Sequence, residues 1–288
     1  MQNLRTLSRS IESVESLKSI ITTMKAHASA SIMQFKNAEK ASVQYRVVLD
    51  MVLDLLLSME EERPSSVSGE GRGTLHVVFG SELGLVGRFN ERIVSHFLND
   101  KHYLAGSTIL AAGQQADSHL EHAAKPSGMI SMPQTVEGIT LQVQRLLTMI
   151  EDRGPEGSSK EIYLHYNRPV RGGGYEETTE RLFPIDIGRL SETGAKWSSR
   201  SLPELFMDKD KLLSDLLRQY FFITIYRCFC LSLAAESVSR LEAMTSAEKN
   251  IDEKLEELGF RYMRERQNSI TEEINDVISG FKSIKASR

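Results

Sequence analysis

The stretch KLLSDLLRQYFFITIYRCFCLSLAAESVSRLEAMTSAEKNIDEKLEELGFRYMRERQNSITEEINDVISGFKSI, residues 211–284, sets the architecture of this chain. It contains no proline and only two glycines, Gly259 and Gly280. Its apolar residues recur largely at gaps of three and four, which places them on one stripe of an α-helix. Because each helical residue adds about 1.5 Å, an unbroken helix here would be about 110 Å long. No single core is that deep, so we expect such a helix to need a partner along its length.

Residues 2–59 carry a second long helical pattern, and no proline interrupts the chain before Pro64. The apolar gaps again alternate between three and four, close to the 3.5-residue period of a coiled-coil seam. Pairing the two terminal helices is the most economical way to cover both. We therefore predict a long antiparallel α-helical coiled coil formed by the N- and C-terminal helices.

The sequence between these two long helical patterns differs from them in composition and periodicity. Pro64–Gly73 (PSSVSGEGRG) is typical of a linker. After it, the short β-rich runs TLHVVFG, STILAAG, GMISMPQ and EIYLHYNR alternate with the helical patterns NERIVSHFLND and VEGITLQVQRLLTMIED, and YEETTERLFPID adds an edge strand. This alternation predicts a central Rossmann-like α/β domain with a largely parallel sheet. The loop Gly188–Pro203, which carries the only tryptophan, Trp197, then leads into the second long helix.

The predicted domain organisation has four segments. They are an N-terminal coiled-coil helix at 1–62, a linker at 63–73, a central α/β domain at 74–203 and a C-terminal coiled-coil helix at 204–288. The fold class is therefore α/β plus a long coiled coil.

Composition excludes several classes of protein. The net charge of −4 argues against a generic nucleic-acid binder. Cys228 and Cys230 are two apart and point to different faces of a helix, so a bridge between them is implausible and a reduced compartment fits. The most apolar run, Tyr220–Ala235, is interrupted by Arg227 and falls short of the roughly 18 residues of a membrane span. We expect contact with a membrane only through partners.

Candidate sites for chemistry are weak. The glycines of GSELGLVGRFN (Gly80–Asn90) follow a strand and open a helix, where a phosphate loop would lie, but neither dinucleotide nor P-loop spacing is met. RGGGYEE (Arg171–Glu177) is typical of a flexible turn. His119 and His122 could share a helix face, but the sequence shows no third metal ligand. We predict no catalytic, cofactor or metal site, and two alternatives stay open: an α/β phosphate- or nucleotide-binding enzyme with helical arms, and a coiled-coil scaffold.

The tail RQNSITEEINDVISG resembles the C-terminal signature of the gamma subunit of F-type ATP synthases, which begins R-Q-x-x-I-T-x-E. The matching residues are Arg266, Gln267, Ile270, Thr271, Glu273, Ile274, Asp276, Val277, Ile278, Ser279 and Gly280. A second stretch, LAAESVSRLEAMTSAEKN, is similar to another family motif through Leu233, Glu236, Ser239, Arg240, Ala243, Met244, Ala247 and Asn250. SELGLVGRFN resembles a third, through Ser81, Gly84, Leu85, Gly87, Phe89 and Asn90, and SIITTMKAHASAS is a weakened form of the N-terminal motif.

The resemblance covers the whole chain and implies a noncatalytic rotor shaft. In this family the two terminal helices form an antiparallel coiled coil inside a hexamer of alpha and beta subunits. The α/β domain contacts an epsilon subunit and the membrane c-ring. Rotation of the shaft couples proton or sodium flow through the ring to ATP synthesis or hydrolysis. The expected location is peripheral, at the cytoplasmic face of the inner membrane.

The resemblance also implies partner contacts at particular residues. Gln267, Ile270, Thr271, Glu272 and Glu273 match positions that meet loops of the beta subunits, and Thr22, Met24 and Lys25 match positions of the N-terminal helix that meet the same loops. Phe206, Met207 and Asp208 fall near the segment that usually reaches the membrane ring, where the family often has Y-E-P.

Several residues depart from the family pattern. Thr22, Thr23 and Ser31 replace basic residues of the N-terminal signature, His27 replaces a valine and Glu272 replaces a glutamine. These changes alter the charge of the predicted contact surfaces. They indicate a divergent member, of the kind found in alternate F-type ATPases that are read as ion pumps, with Na⁺ as one candidate ion.

Overall fold

The computed structural model describes residues 2–58, 66–67, 73–152, 161–186, 204 and 206–286. Its elements in chain order are α1 (Gln2–Ser58), β1 (Ser66–Val67), β2 (Thr74–Phe79), α2 (Phe89–Leu98), β3 (Thr108–Ala112), α3 (Gln114–Glu121), β4 (Gly128–Ile130), α4 (Val136–Glu151), β5 (Glu161–Pro169), β6 (Tyr175–Phe183), β7 (Ile185–Asp186) and α5 (Lys209–Ala286). Both long helices are confirmed, since α1 has 57 residues and α5 has 78. Most of the predicted linker and the loop Gly188–Pro203 with Trp197 lie outside the described residues.

The chain divides into two compact units. Residues 1–27 and 241–288 form one, here called the helical unit, and residues 28–240 form the other, here called the sheet unit. Each long helix therefore contributes residues to both units. This division by contacts differs from the four predicted segments, whose boundaries stay a prediction.

The main sheet has five strands in the order β4-β3-β2-β5-β6. The first four run parallel, and β6 pairs antiparallel with β5 at one edge. This confirms the largely parallel sheet with an added edge strand. The turn between β5 and β6 holds three consecutive glycines with positive φ, Gly172, Gly173 and Gly174, as the RGGG sequence predicted for a turn.

Two elements differ from the sequence-based expectation. Within the predicted linker, β1 pairs antiparallel with β7, with Ser66 opposite Asp186 and Val67 opposite Ile185. Helix α3 follows β3 directly and buries only Ala116 and Leu120. Neither element carries enough periodic residues to be read from sequence, because both are short and depend on contacts with distant residues.

Side chains alternate across the sheet and bury both of its faces, as a parallel sheet requires. One set, including Val77 and Phe79, packs with α4 and with the parts of α1 and α5 that belong to the sheet unit. The rings of Phe79 and Phe229 meet edge to face with centroids 5.0 Å apart. The other set, including Val78, packs with α2 and α3. The sheet unit is thus three layers deep, and the middle of α5 forms part of its core.

The most apolar part of α5 is a core segment. Among the described residues, it holds a window that is long and apolar enough to cross a membrane, contrary to the expectation that no run is so apolar, but 67% of that window is buried inside the chain. Arg227, the charge within it, donates 2.7 Å hydrogen bonds to both carboxylate oxygens of Glu180, and the Tyr166 hydroxyl donates to Oε2 at 2.8 Å. Cys228 and Cys230 are free and buried, and burial raises the pKa of Cys230 to about 12. Both thiols therefore act as packing groups.

Gly113, between β3 and α3, has a φ of 101° and no space for a side chain, because a Cβ there would lie 2.6 Å from the Ser81 carbonyl oxygen. Gly106 has a similar φ of 93°, but a Cβ there meets nothing within 4 Å. We expect Gly113→Ala to lower the free energy of unfolding by about 1–3 kcal/mol more than Gly106→Ala, since only the first adds a steric clash to the backbone strain. Urea denaturation of both variants measures the difference, and equal losses would contradict the packing described for this turn.

Candidate functional site

The helical unit consists of two antiparallel helix segments joined by contacts along their length. Asn3 Nδ2 donates to Glu265 Oε1 at 3.4 Å, Lys18 Nζ lies 2.7 Å from Asp252 Oδ1, and Lys25 pairs with Glu248. As the residue number rises along α1, the number of the residue that it contacts on α5 falls, so the predicted antiparallel arrangement is confirmed. Ion pairs and hydrogen bonds this close to solvent contribute little to stability, so they mainly set the register of the two helices.

The predicted contact residues of α1 have unequal surroundings. Thr22 is exposed, and its hydroxyl donates to the Lys18 carbonyl of its own helix at 3.0 Å. Met24 is half-buried. Lys25 is half-buried and already pairs with Glu248. Of the three, Thr22 has the side chain that is most open to a partner.

The predicted contact residues of α5 are all on the surface. Gln267, Ile270, Thr271, Glu272 and Glu273 are exposed, and the Thr271 hydroxyl donates to the Gln267 carbonyl at 2.9 Å. Ile270 belongs to a row of apolar side chains on this end of the helix that no other part of the described chain covers. The row consists of Ile270, Ile274, Val277 and Ile278, with exposures of 46, 52, 62 and 46%.

The contact residues of the two helices lie at different levels. Lys25 pairs with Glu248, which is 19 residues before Gln267 on α5. At about 1.5 Å per residue, this places the two predicted contact regions about 28 Å apart along the helical unit. That both regions meet the same loops of a partner stays a prediction, and the helix pairing sets the distance between them.

The third predicted contact segment precedes α5 in the sheet unit. The Phe206 side chain is 92% exposed and the Met207 side chain is exposed as well. Asp208 has a structural role, since its Oδ1 accepts hydrogen bonds from the backbone N–H groups of Asp210 and Lys211, both at 3.1 Å. This is the geometry of an N-cap, which helps to start α5. Phe206 and Met207 therefore lie directly before a helix start that Asp208 caps.

The Gly80–Asn90 turn is closed by its own side chains. The Ser81 backbone N–H donates to Asn90 Oδ1, Asn90 Nδ2 donates to Ser81 Oγ, and Ser81 Oγ donates to the Leu83 carbonyl, each at 2.8 Å. A Cβ on Gly80 would lie 2.5 Å from Ala116 Cβ, so α3 packs directly against the turn. The N–H group that a phosphate would need at Ser81 is already bonded. The turn therefore has a structural role, and its Ser81 N–H group is not available to bind a phosphate.

Two of the matched motifs pack against each other in the sheet unit. Ser239 Oγ donates to the Val86 carbonyl at 2.7 Å, and Ala235 packs with Val86 and Phe89. Glu236 is buried, and its Oε1 accepts a 2.6 Å hydrogen bond from Arg240. Burial raises the pKa of Glu236 to about 7 although Arg240 opposes that shift. These motif residues hold α5 against the turn and are no part of a partner surface.

His119 and His122, the two histidines that could share a helix face, both lie on the surface. His119 is exposed, and its Nδ1 lies 2.7 Å from the Gln115 carbonyl of the same helix. His122 follows α3 and is exposed. The one group of potential metal ligands that the structure brings together among the described residues lies elsewhere, at His96, Asp100 and His165. Sequence spacing could not indicate it, because its members come from distant elements.

Comparisons with known proteins agree with one another. A family model described as ATP synthase matches residues 3–284. An ATP synthase gamma chain of Lachnoclostridium phytofermentans is 26% identical over 295 residues, covering 99% of this chain and 100% of that protein. An ATP synthase gamma chain of Geobacter sp. strain M21 is 28% identical over 298 residues with the same coverage. A chain from the cryo-EM structure of Euglena gracilis mitochondrial ATP synthase (OSCP/F1/c-ring) shares the fold, with a TM-score of 0.65, 15% identity and 99% and 96% coverage of the two chains.

The buried carboxyl of Glu236 predicts a pH dependence of stability. Its pKa is about 7 in the folded chain and near 4.5 when solvated, so the native state binds the extra proton between these values. Stability from this group is complete below about pH 4.5 and is lost as the pH rises through 7. Between pH 5 and 8, Glu236 should lower the free energy of unfolding of the wild type by about 3 kcal/mol. We expect this fall to be absent in Glu236→Gln.

Urea unfolding at several pH values measures this effect. Glu242→Gln changes an exposed carboxyl further along α5 and is the matched control. A Glu236→Gln profile parallel to that of the wild type would contradict the assigned burial.

Proposed function

The chain belongs to the ATP synthase family, and from this premise we propose that it is the gamma chain, the central rotor shaft of an F-type ATP synthase. It couples ion flow through the membrane ring to ATP synthesis or hydrolysis in the hexamer of alpha and beta subunits. The observation that carries the proposal is the uncovered apolar row Ile270–Ile278 at the end of an antiparallel helix pair. An exposed apolar row of this kind is typical of a surface that is buried by another protein.

The shaft acts by contact and performs no chemistry itself. A helix pair offers a different surface to each of the subunits around it, since the exposed apolar row Ile270–Ile278 follows one stripe of α5 and the exposed Glu272 and Asp276 lie off that stripe. A partner subunit that meets the row Ile270–Ile278 is stabilised in another conformation than one that meets the charged side. Rotation therefore changes which conformation each beta subunit favours, because a ligand shifts an equilibrium by its differential affinity for the two states.

Contacts at two levels follow from the helix pairing. We assign the upper level to Gln267, Ile270, Thr271, Glu272 and Glu273, and the lower level, about 28 Å away along the helices, to Thr22, Met24 and Lys25. At the lower level Lys25 is already paired with Glu248 and Met24 is half-buried, so the exposed Thr22 makes the first contact.

The exposed pair Phe206 and Met207 is the proposed contact with the membrane c-ring. Asp208 holds this segment at the start of α5. The sheet unit also meets the epsilon subunit, as in the family. With these partners, the chain is a peripheral protein of the ATP synthase, and we place it at the cytoplasmic face of the inner membrane.

The other two hypotheses have separate tests. A phosphate- or nucleotide-binding enzyme would show nucleotide-dependent thermal stabilisation of the isolated chain, and the bonded Ser81 N–H argues against this. A coiled-coil scaffold would form homodimers through its terminal helices and would not co-purify with a hexamer.

Reconstitution tests the proposal directly. The chain is co-expressed with F-type alpha and beta subunits of the same organism, and complex formation and ATP-driven rotation are measured. Ile274→Asp should weaken association about 10- to 100-fold, since one buried Ile contributes about 1.5–3 kcal/mol. Asn275→Asp adds the same charge at the next, exposed position and should have little effect. Failure of the wild-type chain to co-purify with these subunits would refute the proposed function.

A second variant tests the contact with the membrane ring. Phe206→Ala should reduce the fraction of complexes that retain the c-ring about tenfold, because it removes the most exposed aromatic side chain of this segment. Glu204→Ala, also exposed and two residues earlier, is the control. Association with the hexamer should be unchanged in both variants, and equal c-ring retention would remove Phe206 from the interface.

A further inference from the structure

Histidines that are far apart in sequence meet on one side of the sheet in the sheet unit. His76 lies on β2, His96 on α2 and His165 on β5, and Asp100 follows the end of α2. His165 and His76 are fully buried, whereas His96 and Asp100 are partly exposed. The ligand atoms of His96, Asp100 and His165 all lie within 4.8 Å of one another. The rotor function does not use this cluster.

The hydroxyl of Thr179, on β6, stands at the centre of the three groups. Thr179 Oγ1 lies 3.0 Å from His96 Nε2, 2.9 Å from Asp100 Oδ2 and 3.1 Å from His165 Nδ1. Three potential ligand atoms thus converge on one point: one from α2, one from Asp100 in the turn after α2, and one from β5. The hydroxyl fills the place that a small ion would take.

The hydrogen bonds define donors and acceptors within the cluster. Asp100 accepts on both oxygens, from the Thr179 hydroxyl on Oδ2 and from the His102 backbone N–H on Oδ1, which is the pattern of a carboxylate. Thr179 therefore donates its one proton to Asp100 and can accept two bonds. These come from the N–H groups of His96 Nε2 and His165 Nδ1.

The chain of bonds continues to His76. Since His165 carries its proton on Nδ1, its Nε2 is an acceptor and takes the proton of His76 Nδ1, 2.9 Å away. The Nε2 of His76 is buried and makes no hydrogen bond of normal geometry to another described residue, although a backbone interaction with His102 favours a proton on this ring.

We propose that His96, Asp100 and His165 form a binding site for a zinc-type divalent metal ion. Two imidazoles and one carboxylate are ligands that suit Zn²⁺, and three protein ligands leave a fourth position for water. To reach the usual metal distances of about 2.0–2.2 Å, the three groups close in by about 1 Å and the Thr179 hydroxyl turns away. The partly exposed side at His96 and Asp100 is the way in.

The surroundings of the ligands are those of a built site. Metal-binding side chains are normally oriented by further hydrogen bonds from behind. His76 performs this for His165, and the His102 backbone N–H, 2.8 Å from Asp100 Oδ1, performs it for Asp100. Oxygen-seeking Mg²⁺ is a poor match for two imidazoles.

Metal binding also shifts the protons of the two buried rings. A metal on His165 Nδ1 displaces that proton, and a neutral imidazole then carries its proton on Nε2. This N–H donates to His76 Nδ1, 2.9 Å away, and the proton of His76 moves to its own Nε2. Both rings change tautomer and no proton is lost from the pair.

Metal titration of the full-length chain tests the site. After dialysis against a chelator and then buffer, Zn²⁺ binding is measured by calorimetry and metal content, and Co²⁺ is added for its absorption spectrum. We expect one equivalent of Zn²⁺, a Co²⁺ spectrum typical of nitrogen and oxygen ligands, and no binding of Mg²⁺ at the same concentration. His96→Ala should weaken Zn²⁺ binding by more than about 100-fold, beyond the 10–100-fold typical for loss of an outer partner.

Two further variants separate a metal site from a polar core. Thr179→Val removes the competing hydroxyl, so it should keep Zn²⁺ binding or strengthen it, whereas a purely structural network offers no reason for it to bind metal. His119→Ala changes an exposed histidine outside the cluster and should bind as the wild type does. Absence of Zn²⁺ binding by the folded wild type, or equal binding by wild type and His96→Ala, would overturn the proposal.

Discussion

The rest of this structure depends on one constraint, which is that the apolar stripe of the 78-residue helix α5 must be buried against packing partners. A helix of that length gains most of its stability from packing, so each part of its apolar stripe needs a partner. In the sheet unit the partner is the sheet, where Phe229 meets Phe79. The polar groups on the same segment are satisfied internally, Arg227 by Glu180 and Ser239 by the Val86 carbonyl. In the helical unit the partner is α1, and the described residues supply no cover for the apolar row Ile270–Ile278.

The function follows from what the chain leaves uncovered. A catalytic protein concentrates buried polar groups in a pocket, whereas this chain leaves an apolar row, Ile270–Ile278, and an exposed Phe206 on its surface. The motifs that match the ATP synthase family divide accordingly. Ala235 and Ser239 hold α5 against the Gly80–Asn90 turn, while Gln267 and the residues from Ile270 to Ser279 are exposed. Similar motifs can thus serve either the fold or the assembly, and burial distinguishes the two.

The histidine cluster shows a second consequence of burial. His76 and His165 are buried beneath helices that cover the sheet, so their ring nitrogens bond to side chains of the chain itself, His76 to His165 and His165 to Thr179. The same convergence that satisfies these groups creates the geometry of a metal site.

The amino-acid sequence determined the two long helices, most of the strands and helices between them, and the family. These features rest on local periodicity, turn residues and short motifs, which are readable from neighbouring positions. It did not reveal α3, the pairing of β1 with β7, the 28 Å between the two predicted contact regions, or the meeting of His96, Asp100 and His165. Each of these depends on residues tens to hundreds of positions apart. Such contacts are set by how the elements pack, and no local pattern encodes them.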